Sequence, residues 1–467
     1  MAEAAGLRRT VGPLQYFALG FGCIIGAAWI VSLGEMYARA GPGGAVIGFV
    51  LGGAVMAIVG ACYGELAAQL PRAGSEFVYC HHVYGRRTGF LVGWFITLFL
   101  VGVTIFEAVA LAWAVRILVP SLEDTVLYTV LGSTVTLADV LIGIGGTLLL
   151  TMLNYRGTAL SVAFHSAITY AFIAATGFVM LWIVAFGSAV NIMPLFGVAG
   201  GGPRWDGIFW VFASCAFFLY GFPAIPQAVE ERAPGVGIQT VARLIPIVIV
   251  AATAFYIAIV ITAAMAAPWP ESAGRQLAMA EAIRRLPAGA ALAAAILVAA
   301  AASILKTWNG VMLMAARMLL ALSREGFLPA AMARAHPRFG TPGIAVLAVG
   351  LLNFAGLFLG NGVIVPIITM SSMCLAVTFV LCCAAVPILR RRGGEVREAY
   401  RVPGGMVTVA VGIAGSAVMA VSALLAPLSD AGGAVPVEWI LLLGWALAGV
   451  AVVVSAGRRG RIAASLS

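Results

Sequence analysis

Gly20-Phe21-Gly22-Cys23-Ile24-Ile25-Gly26 and Tyr220-Gly221-Phe222-Pro223-Ala224-Ile225-Pro226 decide the fold. Each stretch lies inside an apolar block long enough, at ~20 residues, to cross a bilayer as a helix. Glycine weakens a helix, and proline removes a donor and clashes with the preceding turn, so both spans are expected to be broken. The two interruptions are roughly 200 residues apart, each in the first helix of a set of five, which points to an inverted-repeat architecture. Glycines that merely allow close helix packing are the plainer explanation of either break alone. The pair at matching positions favours the repeat.

Outward from these breaks the whole chain reads the same way. Of its 467 residues, 62% are hydrophobic and 10% charged, too few charges to clothe a soluble protein of this size. The apolar residues fall into about twelve long blocks without strand-like alternation, so an all-α polytopic membrane protein is expected. The blocks are 14–38, 45–69, 88–119, 138–153, 158–186, 207–228, 241–266, 288–322, 342–359, 363–389, 406–425 and 437–456, called spans 1 to 12. Residues 1–13 form an N-terminal tail and 14–389 the core, with repeats at about 14–188 and 206–389. A loop and spans 11 and 12 occupy 390–456, and 457–467 form a C-terminal tail. Residues 270–286 read as a short amphipathic helix with Leu277, Ala280, Ile283 and Leu286 on one face.

The net charge of +9 follows topology, not nucleic-acid binding. Arginines gather in alternate connectors, from Arg8 and Arg9 through Arg72, Arg86, Arg87, Arg317 and Arg324 to Arg390–Arg392, with few such as Arg39 and Arg204 opposite. That bias places both termini in the cytoplasm and the chain in the cell membrane among lipids. Seven cysteines, mostly within spans, imply no disulfide framework, and span 1 lacks a cleavable signal pattern.

Further residues carry a family resemblance over nearly the whole chain. They are Gly22-Cys23-Ile24-Ile25-Gly26, Tyr63-Gly64-Glu65-Leu66, Leu70-Pro71-Arg72-Ala73-Gly74, Gly93-Trp94, and Gly221-Phe222 followed by Glu230-Glu231. Asn309-Gly310, Ala316-Arg317 and Ser323-Arg324-Glu325-Gly326-Phe327-Leu328-Pro329 complete the set. In this order the chain resembles the amino acid–polyamine–organocation permeases, which implies a LeuT-like fold and secondary transport. It departs from the family where a small hydroxyl residue and glycine usually follow the span 1 motif, having Ala27 and Ala28. It also has Pro223 where aspartate often follows Gly-Phe. Recognition is therefore expected to lean on backbone atoms.

Unwinding at 22–26 would free amide donors at Gly26, Ala27 and Ala28, at the positive end of a half-helix suited to a carboxylate. Cys23 and Ile25 belong to the same segment. In span 6, carbonyls around Phe218 to Phe222, including Tyr220 and Gly221, would take a substrate ammonium, and the three aromatic rings would cover it. An amino acid or a related small amine fits this arrangement. A polyamine or other amine lacking a carboxylate is the alternative, given Glu107 and the missing polar side chains at Ala27 and Pro223.

Lys306 is the chain's only lysine, mid-span in span 8. An ionisable group there costs at least ~2.5–3.5 kcal/mol and marks function by default. In the fold that the resemblance implies, spans 1 and 8 flank a sodium site, and Lys306-Thr307 falls close to its span 8 side, so the Lys306 ammonium is expected to stand in the cation's place. Transport would then be sodium-independent, and proton-coupled or exchanging. The lysine some members carry on span 5 is replaced here at Val162-Ala163-Phe164. The plainer explanation is a permanent pair between Lys306 and Glu107, although their backbones should differ by roughly 9 Å in depth. Glu107 is otherwise a site for a substrate amine or a proton.

His165 reads as a core histidine, and adjacent His81 and His82 point apart, so no metal site is expected. No cofactor is called for. Glu65, Arg72, Glu230, Glu231, Arg317 and Arg324 are expected to pair at the cytoplasmic ends, and Asn154 and Asn353 to bond between helices. No Walker motif occurs and no catalytic constellation shares one level, so neither an ATPase nor an enzyme is expected. Paired breaks disfavour a channel, and a non-transporting sensor on the same fold is the remaining rival.

Overall fold

The computed structural model describes residues 9–26, 28–119, 122, 125–130, 133–197, 204–275, 277–360, 364–392, 400–430 and 436–465. Among them nine helices are long and apolar enough to cross a membrane, and three shorter apolar helices accompany them. Together they account for the twelve expected spans. Large apolar side chains such as Leu181, Leu351 and Val407 point outward, as a lipid-facing surface requires.

Span 1 is split between α1 (Pro13–Ile24) and the first part of α2 (Ala28–Gln69). Within α2 the chain reverses at Gly41, whose φ of 69° suits glycine, and Pro42 starts the second segment. Span 1 thus passes into span 2 without the six-residue loop expected from the sequence. Helix α4 (Arg86–Leu118), α5 (Leu137–Arg156) and α6 (Thr158–Phe186) are spans 3 to 5. Span 6 is α7 (Trp205–Phe218) followed, after a break, by α8 (Ala224–Gln227). Helix α9 (Ile238–Ala266) is span 7, and α10 (Ala278–Ile283) belongs to the expected amphipathic segment. Helices α11 (Gly289–Arg324), α12 (Gly343–Gly356), α13 (Ile364–Arg391), α14 (Gly405–Asp430) and α15 (Val437–Ser465) are spans 8 to 12.

Two short elements accompany the long helices of this all-helical fold. A short helix, α3 (Glu76–Tyr84), precedes α4, and an antiparallel hairpin of β1 (Val126–Val130) and β2 (Ser133–Thr136) joins α4 to α5. The hairpin is rich in β-branched residues but spans too few positions to stand out beside twenty-residue blocks. Its Tyr128 hydroxyl donates to the Phe358 carbonyl at 2.8 Å.

Helices α4 and α11 cross the centre side by side, and α2 packs along α7 and α9. Buried polar residues fasten the helices as expected. Asn154 Nδ2 donates to Asn309 Oδ1 at 2.9 Å, Asn309 Nδ2 donates to Ser161 Oγ at 3.0 Å, and Asn353 Nδ2 donates to Thr147 Oγ1 at 3.0 Å.

Candidate functional site

The two breaks touch. A methyl group on Gly221 would stand 2.5 Å from Cys23 C and Ile24 N, and Gly221 itself has a φ of 131°. Only a residue without Cβ lets the span 6 backbone lie on the span 1 backbone this closely.

Each break releases carbonyls. The Gly26 amide turns back to Ile24 O at 3.1 Å and leaves Gly22 O without its helical donor. Lys306 Nζ takes that place, donating to Gly22 O at 2.9 Å and also to Ile25 O. Thr307 Oγ1 donates to Gly22 O at 3.0 Å and Ser303 Oγ to Ile25 O at 2.8 Å. The ammonium lies 4.9 Å from the centroid of the Phe172 ring, on α6. The buried Lys306 amino group thus sits among backbone carbonyls, a hydroxyl pair and an aromatic face.

Beside it is a cavity of about 40 Å³. Its lining includes Cys23, Gly26, Phe218, Tyr220 and Gly221, with Glu107 on one side. Glu107 is 2% exposed, and its Oε2 is enclosed without a hydrogen-bond partner among the described residues. A first side-chain carbon on Gly26 would come within 3.1 Å of Glu107 Oε1. An unpaired carboxylate so enclosed invites a donor or a cation.

Several expected residues stand elsewhere. Phe222 is turned away by the reversal at Gly221 and packs edge-on against Tyr63, with centroids 5.0 Å apart. Ile25 contributes its carbonyl and not its side chain. The Gly26 amide expected to meet a carboxylate is engaged by Ile24 O. Ala27 lies outside the described residues, and Ala28 begins α2. Lys306 and Glu107 form no ion pair; the lysine reaches inward to span 1. The cavity walls also use Phe99, Val103 and Phe106 from α4, Tyr256 from α9, and Thr307, Val311 and Met314 from α11. Of these the sequence had flagged Thr307 alone.

His165 is fully buried, with Nε2 3.1 Å from Ala18 O, a core placement. The charged residues near the arginine-rich end pair as expected. Arg317 donates twice to Glu231, at 2.8 and 2.7 Å, with both side chains 2% exposed. Arg324 reaches Glu230 at 2.7 Å, Arg72 reaches Glu325 at 3.1 Å, and Arg390 Nη2 meets Glu65 at 2.7 Å. Burial acts against ionisation of Glu230, but the hydrogen bond and charge of Arg324 outweigh it and hold that carboxyl below its usual range. Arg317→Ala would strand the Glu231 carboxylate without its partner, a loss of about 3–5 kcal/mol. A markedly lower melting temperature in detergent is the expected result, and an unchanged one would contradict it. At the opposite end, Gly274 N donates to Gly34 O at 2.8 Å, fastening the segment before α10 to α2.

Residues 11–451 match the amino acid permease family. The methylthioribose transporter of Bacillus subtilis (strain 168) is 26% identical over 420 residues, covering 86% of this chain and 86% of its own length. The glutamate/serine transporter AimA of the same organism is 26% identical over 437 residues, covering 87% and 76%. That organism's aspartate-proton symporter shares 32% identity over 98 residues, 21% of this chain and 18% of its own.

Proposed function

Because this chain belongs to the amino acid permease family, we propose that it carries an amino acid or a related small amine by alternating access, without sodium. It is a multi-pass membrane transporter and not an enzyme. The observation that carries the reading is the Lys306 ammonium held by Gly22 O and Ile25 O between α11 and the broken span. A resident cation there does what a sodium ion would do, bridging the freed carbonyls to α11, and removes the need for one. The aspartate-proton symporter among the relatives supports a proton as the coupled ion.

The five-plus-five inverted repeat is part of the proposal. Packing of α2 on α9, α4 on α11 and α5 on α12 supports it, since each pair joins spans five apart. Alternating access then consists of opening the cavity toward one end while the other stays fastened.

The substrate amine is assigned to two acceptors: carbonyls of the span 6 break and the Glu107 carboxylate. Among the described residues no donor bonds the carbonyls of Phe218, Leu219 or Tyr220. A second reading, an amine without a carboxylate, is favoured by the nearness of Glu107 to Gly26, where a substrate carboxylate would meet a like charge. Uptake of matched pairs, an amino acid and the amine left after its decarboxylation, decides between them in proteoliposomes. Preference for the amino acid supports the first reading, preference for the amine the second, and uptake of neither contradicts both.

Glu107→Gln is expected to lower uptake of the preferred amine-bearing solute at least about tenfold while leaving the melting temperature unchanged or higher. The isostere keeps the side chain's shape and cannot ionise, so no buried, unpaired charge can form there. A lower melting temperature with normal uptake would mark Glu107 as structural.

A further inference from the structure

A second buried carboxylate lies beyond Tyr220. Glu76, the first residue of α3, is fully buried and accepts a hydrogen bond from the Tyr220 hydroxyl at 3.1 Å. Tyr220 also lines the solute cavity. One residue therefore touches both the cavity and this carboxylate.

Around Glu76 the polar atoms are poorly matched. Its Oε2 is enclosed without a partner, and so are the Ser75 hydroxyl, the Tyr63 hydroxyl and both amide atoms of Gln227. Ser75, Tyr220 and Gln227 surround the carboxylate. Gln227 ends α8, directly after the span 6 break, so the cluster ties α3 to that break. Unmatched buried groups are costly, which is a reason for a further ligand to enter.

Among the described residues nothing cationic faces Glu76. The titratable groups around it are Tyr79 on α3, Tyr63 on α2, Tyr220 after α7 and Cys382 on α13, all neutral at physiological pH. Helix α11 also packs on α3, but its Arg317 and Arg324 are bonded to Glu231 and Glu230. On α4, Arg86 lies over the Phe327 ring, while His81 stacks on Phe77. Ionised, Glu76 would be a buried charge without a cationic partner, which is strongly unfavourable. Neutral, it brings an O–H that supplies the donor Gln227 Oε1 lacks, while its other oxygen keeps the Tyr220 bond.

We infer that Glu76 is a proton-binding site, and that the proton held there keeps α3 and Tyr220 closed over the arginine-rich side of the solute cavity. Opening admits water. The O–H bond then breaks heterolytically, the proton passes to water and the electron pair stays on the carboxylate, which hydration now stabilises. Proton release is thereby linked to opening on that side. The inference rests on the cavity being the transport site.

Cys23 lines the cavity and serves as a reporter that needs no substrate. The intact chain in proteoliposomes is treated from each side with a membrane-impermeant methanethiosulfonate, and modification of Cys23 is read by peptide mass spectrometry. Relative to Glu76→Gln at the same pH, which cancels the thiol's own titration, the native chain should react up to about tenfold faster from the arginine-rich side as pH rises from ~5 to ~8. A ratio independent of pH overturns the inference and leaves the transport site intact. Absence of Cys23 modification from both sides at every pH overturns both. If Glu76→Gln does not fold, Tyr220→Phe replaces it: the same rise in the ratio is expected, and a flat ratio overturns the link.

Discussion

Gly221→Ala is expected to abolish transport and to lower the melting temperature. The added methyl would meet backbone atoms, Cys23 C and Ile24 N at 2.5 Å, which cannot swing aside as a side chain can. Overpacking of this kind costs about 1–3 kcal/mol, and a non-glycine residue at φ 131° adds a comparable strain. Relief requires the two breaks to separate, and their contact is what forms the cavity. Uptake in proteoliposomes below a tenth of the native rate, with a lower melting temperature, is the result to look for. Native uptake in the alanine variant would mean that the close approach of the breaks is incidental.

Lys306→Ala carries the second large effect. It removes the ammonium from Gly22 O and Ile25 O, leaving Ser303 and Thr307 as their only side-chain donors among the described residues. Carbonyls of a broken helix inside a bilayer cannot turn to bulk water. The break is expected to lose its bridge to α11, and uptake to fall at least about a hundredfold at any pH, the equivalent of roughly 2.7 kcal/mol. Partial recovery by added sodium would show a cation entering the vacated place. Full activity without lysine and without sodium would remove Lys306 from the mechanism.

The sequence was informative wherever chemistry and hydropathy disagreed. A lysine at mid-span, glycines and prolines inside apolar blocks, and charges at block ends each break a pattern, and each marks a structural feature. Lys306 lies against the span 1 break, and Glu231 and Arg317 form a buried pair. The aromatic wall was not legible. Phe99 and Phe106 on α4 and Tyr256 on α9 sit in helices apolar on every face, where lipid and cavity ask for the same residues.

Backbone detail was also hidden. The reversal at Gly221 sends Tyr220 toward the cavity and Phe222 toward Tyr63, a division that residue type does not reveal. The Gly26 amide was expected to be free, but a local turn to Ile24 O is available to it. Helix α3 was missed because its nine residues are too few for an apolar stripe to be read, although Glu76 within it is as buried as Lys306.

The most direct test is the sodium dependence of uptake by the native chain. Proteoliposomes are loaded with the amino acid or amine that the matched panel identifies, and counterflow is measured with external sodium and with choline in its place. Equal rates are predicted, because on the proposed reading Lys306 fills the cation's position. A rate that collapses in choline would mean that a free ion, and not the lysine, completes the site.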